Sequence, residues 1–209
     1  MFYSKEAHEL SPKERYFLLI GSISPRPIAW VSTISKDGKT NIAPFSFFNA
    51  FSSNPPVLIF SPATSPDPKR PKKDTYINLV ETQECVVNLV NYELKEQMNL
   101  SSKDFSFGDS EFDQAKIETI ESDLIKAPRV KASPVQFECK LLEMKELGDK
   151  PGAGNLAICE IVKFHVNENV FKEGSERIDP DKLDIIGRNG EYNYTRASGD
   201  AIFELKRPI

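Results

Sequence analysis

Residues 26–61, RPIAWVSTISKDGKTNIAPFSFFNAFSSNPPVLIFS, set a hairpin, a Ser/Asn-rich stretch and an apolar run in series, and no other segment constrains the fold as much. Ile28, Trp30 and Ser32 alternate with Ala29, Val31 and Thr33 until Ser35-Lys36-Asp37-Gly38, where Asp-Gly is the pair a tight hairpin turn favours. The chain returns through Thr40, Asn41, Ile42 and Ala43. Pro44 then withholds an amide donor, which predicts an irregular loop over 45–54 rather than a central strand. Pro55-Pro56 enforces an extended entry into Val57-Leu58-Ile59-Phe60, a run short enough for a strand buried on both faces.

The rest of the chain is strand-rich. Cys85 to Val90 reads as a strand, Glu93 to Leu100 as a short helix, and Val135, Phe137, Cys139 and Leu141 alternate with polar residues as a half-buried strand. Leu156 to Val166 continues the sheet. Its Leu156, Ile158, Val162, Phe164 and Val166 share a face with Glu160, which requires a barrel end, a subunit interface or a cation partner. Residues 101–114, SSKDFSFGDSEFDQ, read as a long excursion that either covers a ligand or is a surface loop pinned by its aromatics. The 209 residues carry no linker, so one domain over 1–209 is expected, with a barrel core at about 20–170 and an extension over 171–209.

Composition narrows the function classes. Twenty-seven basic against 31 acidic residues leave no basic field for nucleic acid, and no apolar run is long enough for a membrane helix. The start, Met1-Phe2-Tyr3-Ser4-Lys5-Glu6, has no apolar signal region, so a cytoplasmic location is expected. Cys85, Cys139 and Cys159 are odd in number and widely spaced in apolar patterns. They read as buried thiols, with a redox pair only if two sit face to face. His8 and His165 lack ligand spacing, so no metal site is expected.

Two segments point to a ligand. Ser46, Asn49, Ser52, Ser53 and Asn54 lie among Phe45, Phe47, Phe48 and Phe51, so rings could stack on a planar molecule while hydroxyls and amides read its rim. The alternative is core phenylalanines with ordinary turn chemistry. Lys69, Arg70, Lys72 and Lys73 then crowd just before Asp74-Thr75 and a helix-like pattern through Tyr76, Ile77, Leu79 and Val80. With Asp74 as N-cap, cations, a hydroxyl and a helix start together suit a phosphate. A phosphorylated planar cofactor answers both segments, and FMN fits.

At this point the chain resembles the flavin reductase-like, FMN-binding split-barrel family, which includes flavoredoxins and reductase components of two-component monooxygenases such as the nitrilotriacetate system. The resemblance rests on Arg26-Pro27-Ile28-Ala29-Trp30-Val31-Ser32-Thr33, Asn41-Ile42-Ala43-Pro44-Phe45-Ser46-Phe47-Phe48-Asn49, Asn54-Pro55-Pro56, Lys73-Asp74-Thr75, and Arg188 followed by Tyr192. It implies a mainly β fold with flanking helices, a six-stranded Greek-key split β-barrel, and a homodimer with FMN near the subunit interface. Ser46, Phe47, Phe48, Asn49, Ser52 and Ser53 would then face the ring or ribityl chain, and Lys73 and Thr75 the phosphate, with Thr33 also among the cofactor-binding residues. Arg188, Tyr192 and Tyr194 are candidates for a wall supplied by the second subunit.

The implied activity is reduction of flavin by NADH or NADPH, with electrons passing to a monooxygenase or other electron-accepting protein. The alternative is a flavoredoxin-like electron carrier without efficient NAD(P)H oxidation. Hydride transfer needs no side-chain nucleophile, so no catalytic residue is assigned. Many such reductases carry Gly-Asp-His before a late strand, where this chain has Gly152-Ala153-Gly154-Asn155-Leu156. Asn155 cannot titrate near neutral pH, and its role is open.

Overall fold

Strand β1 (Ala29–Ile34) turns at Gly38, whose φ of 81° favours glycine, and pairs with β2 (Thr40–Phe45) in antiparallel register from Ala29 opposite Phe45 to Ile34 opposite Thr40. The expected hairpin is therefore present. The computed structural model describes residues 1–103, 105 and 110–208, so part of the excursion expected over 101–114 lies outside the described residues.

The expected loop over 45–54 is instead a strand. Phe48–Ser53 forms β3, which pairs antiparallel with β4 (Pro56–Phe60) through a bulge between Ala50 and Ser52. With β5 (Glu84–Leu89), β8 (Val135–Glu146) and β9 (Asn155–Val166), the main sheet has seven strands rather than six, ordered β2-β1-β5-β8-β9-β4-β3. Its edges are β2 and β3, where a sheet tolerates Pro44 and adjacent prolines. Only Ser46 and Phe47 separate these edges along the chain. At 3.8 Å per Cα step they lie within roughly 11 Å of each other, so the sheet must curl into a barrel split between β2 and β3.

Two short ladders, β6 (Thr119–Ile120) with β7 (Arg129–Val130) and β10 (Ile186–Arg188) with β11 (Tyr194–Arg196), flank the barrel. So do the helices α1 (Pro12–Ser22), α2 (Asp74–Thr82), α3 (Lys95–Leu100), α4 (Glu111–Gln114) and α5 (Pro180–Leu183). Helix α1 carries its own start signal: Ser11 accepts from the Glu14 amide while Glu14 accepts from the Ser11 amide, with Pro12 at the first turn.

Strand β1 is buried on both faces and divides the core. Ala29 and Val31 join Phe45, Leu58, Phe60, Val87, Cys139, Cys159 and Leu79 of α2 inside the barrel. Ile28 and Trp30 face outward onto Leu94, Met98, Phe112, Val130 and Ile186, and the buried Trp30 indole donates to Ser101 Oγ at 2.8 Å. Strand β4 alternates, with Leu58 and Phe60 buried and Val57 and Ile59 half-buried, so it is not enclosed on both sides.

In β9 the inward face is Asn155, Ala157 and Cys159, not the large apolar set at 156–166. Small side chains fit where Phe45 and Phe60 already fill the barrel. Glu160 therefore lies outside at mid-strand opposite Lys140, and forms no ion pair among the described residues. Cys85 and Cys139 do stand face to face across β5 and β8. Contact with Cys139 and burial push the Cys85 thiol well up, and contact with Cys85 and burial do the same to Cys159, which keeps both protonated and inert.

Candidate functional site

Helix α2 begins at Asp74, with Lys73 as an extended N-cap residue that offers no capping side chain. Asp74 is therefore not the cap: its carboxylate pairs with Arg70 one turn earlier. Among the described residues the amides of the first turn have no side-chain acceptor, the arrangement that suits an anion. A cavity of about 550 Å³ opens here, walled by β2, residues 65–75, Ser101, Ser102, Lys103 and Phe105, with Arg188 also lining it.

The cations on its wall have unequal freedom. Arg70 is held by Asp74. Lys72 Nζ lies 2.8 Å from Asn155 Oδ1, 2.9 Å from Glu146 Oε1 and 4.4 Å from the centre of the Tyr76 ring. The Tyr76 hydroxyl donates to Glu146 at 2.6 Å, and this bond, with burial, pushes its pKa up to about 12. Lys73 has no carboxylate partner among the described residues, so of the cations at 69–73 that line the cavity it is the one most available to a ligand. Lys69, grouped with these cations in the sequence, does not line the cavity.

Behind Lys73 the wall is a buried polar network. The Asn41 amide meets Thr75 Oγ1 at 3.0 Å, and Asn78 donates to Thr33 Oγ1 at 3.1 Å. Thr75 thus reaches the cavity, and Thr33 stands one layer behind it. Glu111 closes the far side. Burial pushes its carboxyl up, opposed by hydrogen bonding that includes the Ile42 amide at 3.2 Å.

The ring-facing set falls elsewhere. Ser46, Phe47, Phe48, Asn49, Ser52 and Ser53 do not line this cavity: Phe48, Asn49, Ser52 and Ser53 lie on the edge strand β3, and Ser46 and Phe47 in the link that leads into it. Ser46 Oγ accepts from Arg26 Nε at 3.4 Å, Asn49 accepts from the Ala50 amide, and Ser52 from the Asn54 amide. Phe48 packs on the barrel interior, whereas Phe47 and Phe51 are exposed. Asn41, expected only in the hairpin strand, lines the cavity with Ala43, Pro44, Ser65, Ser101, Ser102 and Arg188. Its signal in sequence was its place in a return strand that ends at the same segment as the aromatics.

Asn155, at the start of β9, is a buried clamp. Its amide nitrogen donates to the Pro62 carbonyl at 2.8 Å and its oxygen receives Lys72, so it ties the 62–64 loop to the cavity wall. His165, unpromising by spacing, meets the fully buried Glu138 at 2.6 Å, with Asp123 beside them. These donor atoms are already spent. Glu138 also accepts the Asp123 and Leu124 amides at 2.8 Å each, and Asp123 pairs with Lys163 and Arg129. The cluster anchors the 121–130 segment.

Comparison with known proteins agrees with this architecture. The family model described as "Flavin reductase like domain" matches residues 21–187. An uncharacterised protein of Aquifex aeolicus is 39% identical over 185 residues, 88% of this chain and 91% of the relative. The crystal structure of nitrilotriacetate monooxygenase component B from Bacillus cereus is 35% identical, covers 98% of this chain and 99% of its own, and superposes with a TM-score of 0.90. The structure of 2-nitrobenzoate 2-nitroreductase from Pseudomonas fluorescens is 29% identical, covers 99% and 96%, and has a TM-score of 0.86. No helix among the described residues is long and apolar enough to cross a membrane.

Proposed function

The chain belongs to the flavin reductase-like domain family, and on that premise we propose that it is an FMN-binding oxidoreductase that takes hydride from NADH or NADPH and passes electrons to a partner or small acceptor. The observation that carries the reading is the cavity at the start of α2, where Lys73 lacks a carboxylate partner among the described residues and the helix lacks a side-chain cap. Lys73, Thr75 and the first-turn amides would hold the phosphate, while Asn41 and Pro44 flank the path toward the ring. FMN, when bound, supplies the hydride acceptor. The protein's residues bind and orient it and present donors to its polar edge. Likeness to a monooxygenase component and to a nitroreductase supports an electron acceptor outside the chain.

FMN is expected to bind at least tenfold more tightly than riboflavin, since charge-assisted hydrogen bonds contribute about 1.5–3 kcal/mol each. Parallel fluorescence titrations of the two flavins check this. Equal affinities would remove the phosphate assignment.

A homodimer belongs to the same proposal. Tyr16, Phe17, Leu18, Leu19 and Ile23 are exposed on or just after α1, and Phe47 and Phe51 are exposed on or beside β3. Arg26 joins the two regions, donating to the Ile20 and Ile23 carbonyls and to Ser46. A second copy seated there would cover this apolar surface and bring the 46–53 segment to its partner's flavin. By linkage, FMN should then raise the dimer's resistance to dilution. Sedimentation at falling protein concentration, with and without FMN, reads this out, and a stable monomer with full FMN affinity would exclude a shared site.

A further inference from the structure

A second cavity, of about 440 Å³, lies between α3 and the β10–β11 hairpin and shares Ser102 and Arg188 with the first. Its floor includes the buried Met98 and Ile186, and tyrosines and cations stand around it. The Tyr92 ring has Lys95 Nζ 3.9 Å and the Arg196 guanidinium 4.2 Å from its centre, and Arg188 lies 5.6 Å from the centre of Tyr194.

The charges are unevenly satisfied. Arg196 is neutralised by a two-pronged pair with Asp184, at 2.6 and 2.7 Å. Arg188 has no carboxylate partner among the described residues; its side chain donates only to the Glu191 carbonyl at 3.3 Å. Lys95 reaches only the Tyr92 carbonyl at 3.4 Å, which leaves two cations facing the single carboxylate of Glu96. The Arg188 backbone is fixed, because it exchanges two hydrogen bonds of 2.8 Å with Arg26. The buried Arg26 guanidinium rests on carbonyls, and its charge is disfavoured by burial and by Arg188. An anion at Arg188 would relieve the repulsion between the two guanidinium groups.

We propose that this second cavity binds a planar aromatic carboxylate, its carboxylate on the Arg188 fork and its ring among Tyr92, Tyr194 and Met98. Guanidinium matches a carboxylate with two parallel hydrogen bonds, and aromatic faces with an apolar floor favour a flat ring over an aliphatic chain. That such a ligand lies edge to edge with a flavin rests on the function proposed above; its recognition by these residues does not.

The test is calorimetric titration of the full chain, with and without FMN, using benzoate, benzamide and acetate. Benzoate should bind at least tenfold more tightly than the neutral ring or the ringless anion, and in FMN-loaded protein it should also shift the flavin absorption bands. Arg188→Gln should bring benzoate to the level of benzamide. Tyr194→Leu, which lies outside the first cavity, should weaken benzoate at least fivefold and leave acetate unchanged, so it decides the matter if Arg188→Gln does not fold. Benzoate no tighter than either control, or undiminished in both folded variants, overturns the proposal. Failure of FMN to bind would instead remove the function proposed above, with the benzoate comparison still readable in the protein alone.

Discussion

Lys73→Ala is expected to weaken FMN binding by about one to two decades and to leave riboflavin nearly unaffected. Lys73 is the cation of the 69–73 cluster that lines the cavity without a partner among the described residues, since Arg70 is held by Asp74 and Lys72 by Asn155 and Glu146. Losing one charge-assisted hydrogen bond of about 1.5–3 kcal/mol corresponds to that range. The same substitution on Lys69, which does not line the cavity, should change FMN affinity by less than threefold. A riboflavin affinity that falls in step with FMN would mean that Lys73 supports the fold or the ring rather than the phosphate.

Glu138→Gln is expected to destabilise the protein by on the order of 3 kcal/mol, because it replaces one of two buried accepting oxygens with an NH2 donor, which then faces the Asp123 or the Leu124 amide N–H and leaves that hydrogen bond unmade. For a domain of this size that is roughly 6–12 °C in Tm. The pH dependence follows from the direction of the shift. Burial pushes the Glu138 carboxyl up, but the Asp123 amide, His165 and the Leu124 amide outweigh it and the net shift is downward. A carboxylate with a depressed folded-state pKa contributes stability above its unfolded value of about 4.3, and loses it as pH falls through the lower folded value. The difference in Tm between the two proteins should be largest near neutrality and shrink below about pH 4. Thermal unfolding of both across pH 3–7 checks this, and a gap independent of pH would assign the loss to packing instead.

Particular residues show what the sequence made legible. The β1–β2 hairpin was readable because Asp37-Gly38 is a local signal between alternating runs, β8 and β9 because their patterns are long, and β5 because Val86-Val87 makes its short run apolar and β-branched. Strand β3 was not, since Pro44 and Pro55-Pro56 look like breakers until they are known to lie beside sheet edges. Helix α1 was announced by Ser11-Pro12 and Glu14, a signal available in the sequence but weakened by a face with only Ile20 buried.

The inward face of β9 was not legible because size does not decide it: the barrel interior takes the small Ala157 and Cys159 while Leu156 and Ile158 are half-buried outside. The site divided in the same way. Lys73 and Thr75 were legible from local chemistry, because cations beside a helix start need no tertiary information. Arg188 lines this chain's own cavity, a placement that local chemistry does not announce. Its return to Arg26 is a long-range pairing that no spacing encodes.

Flavin reduction by a nicotinamide is the central claim, and anaerobic stopped-flow mixing of the FMN-loaded protein with NADH, and separately with NADPH, tests it most directly. The account predicts fast loss of the oxidised flavin absorbance with at least one of the two. No bleaching with either nucleotide, while dithionite still reduces the bound flavin, would contradict it and leave an electron carrier.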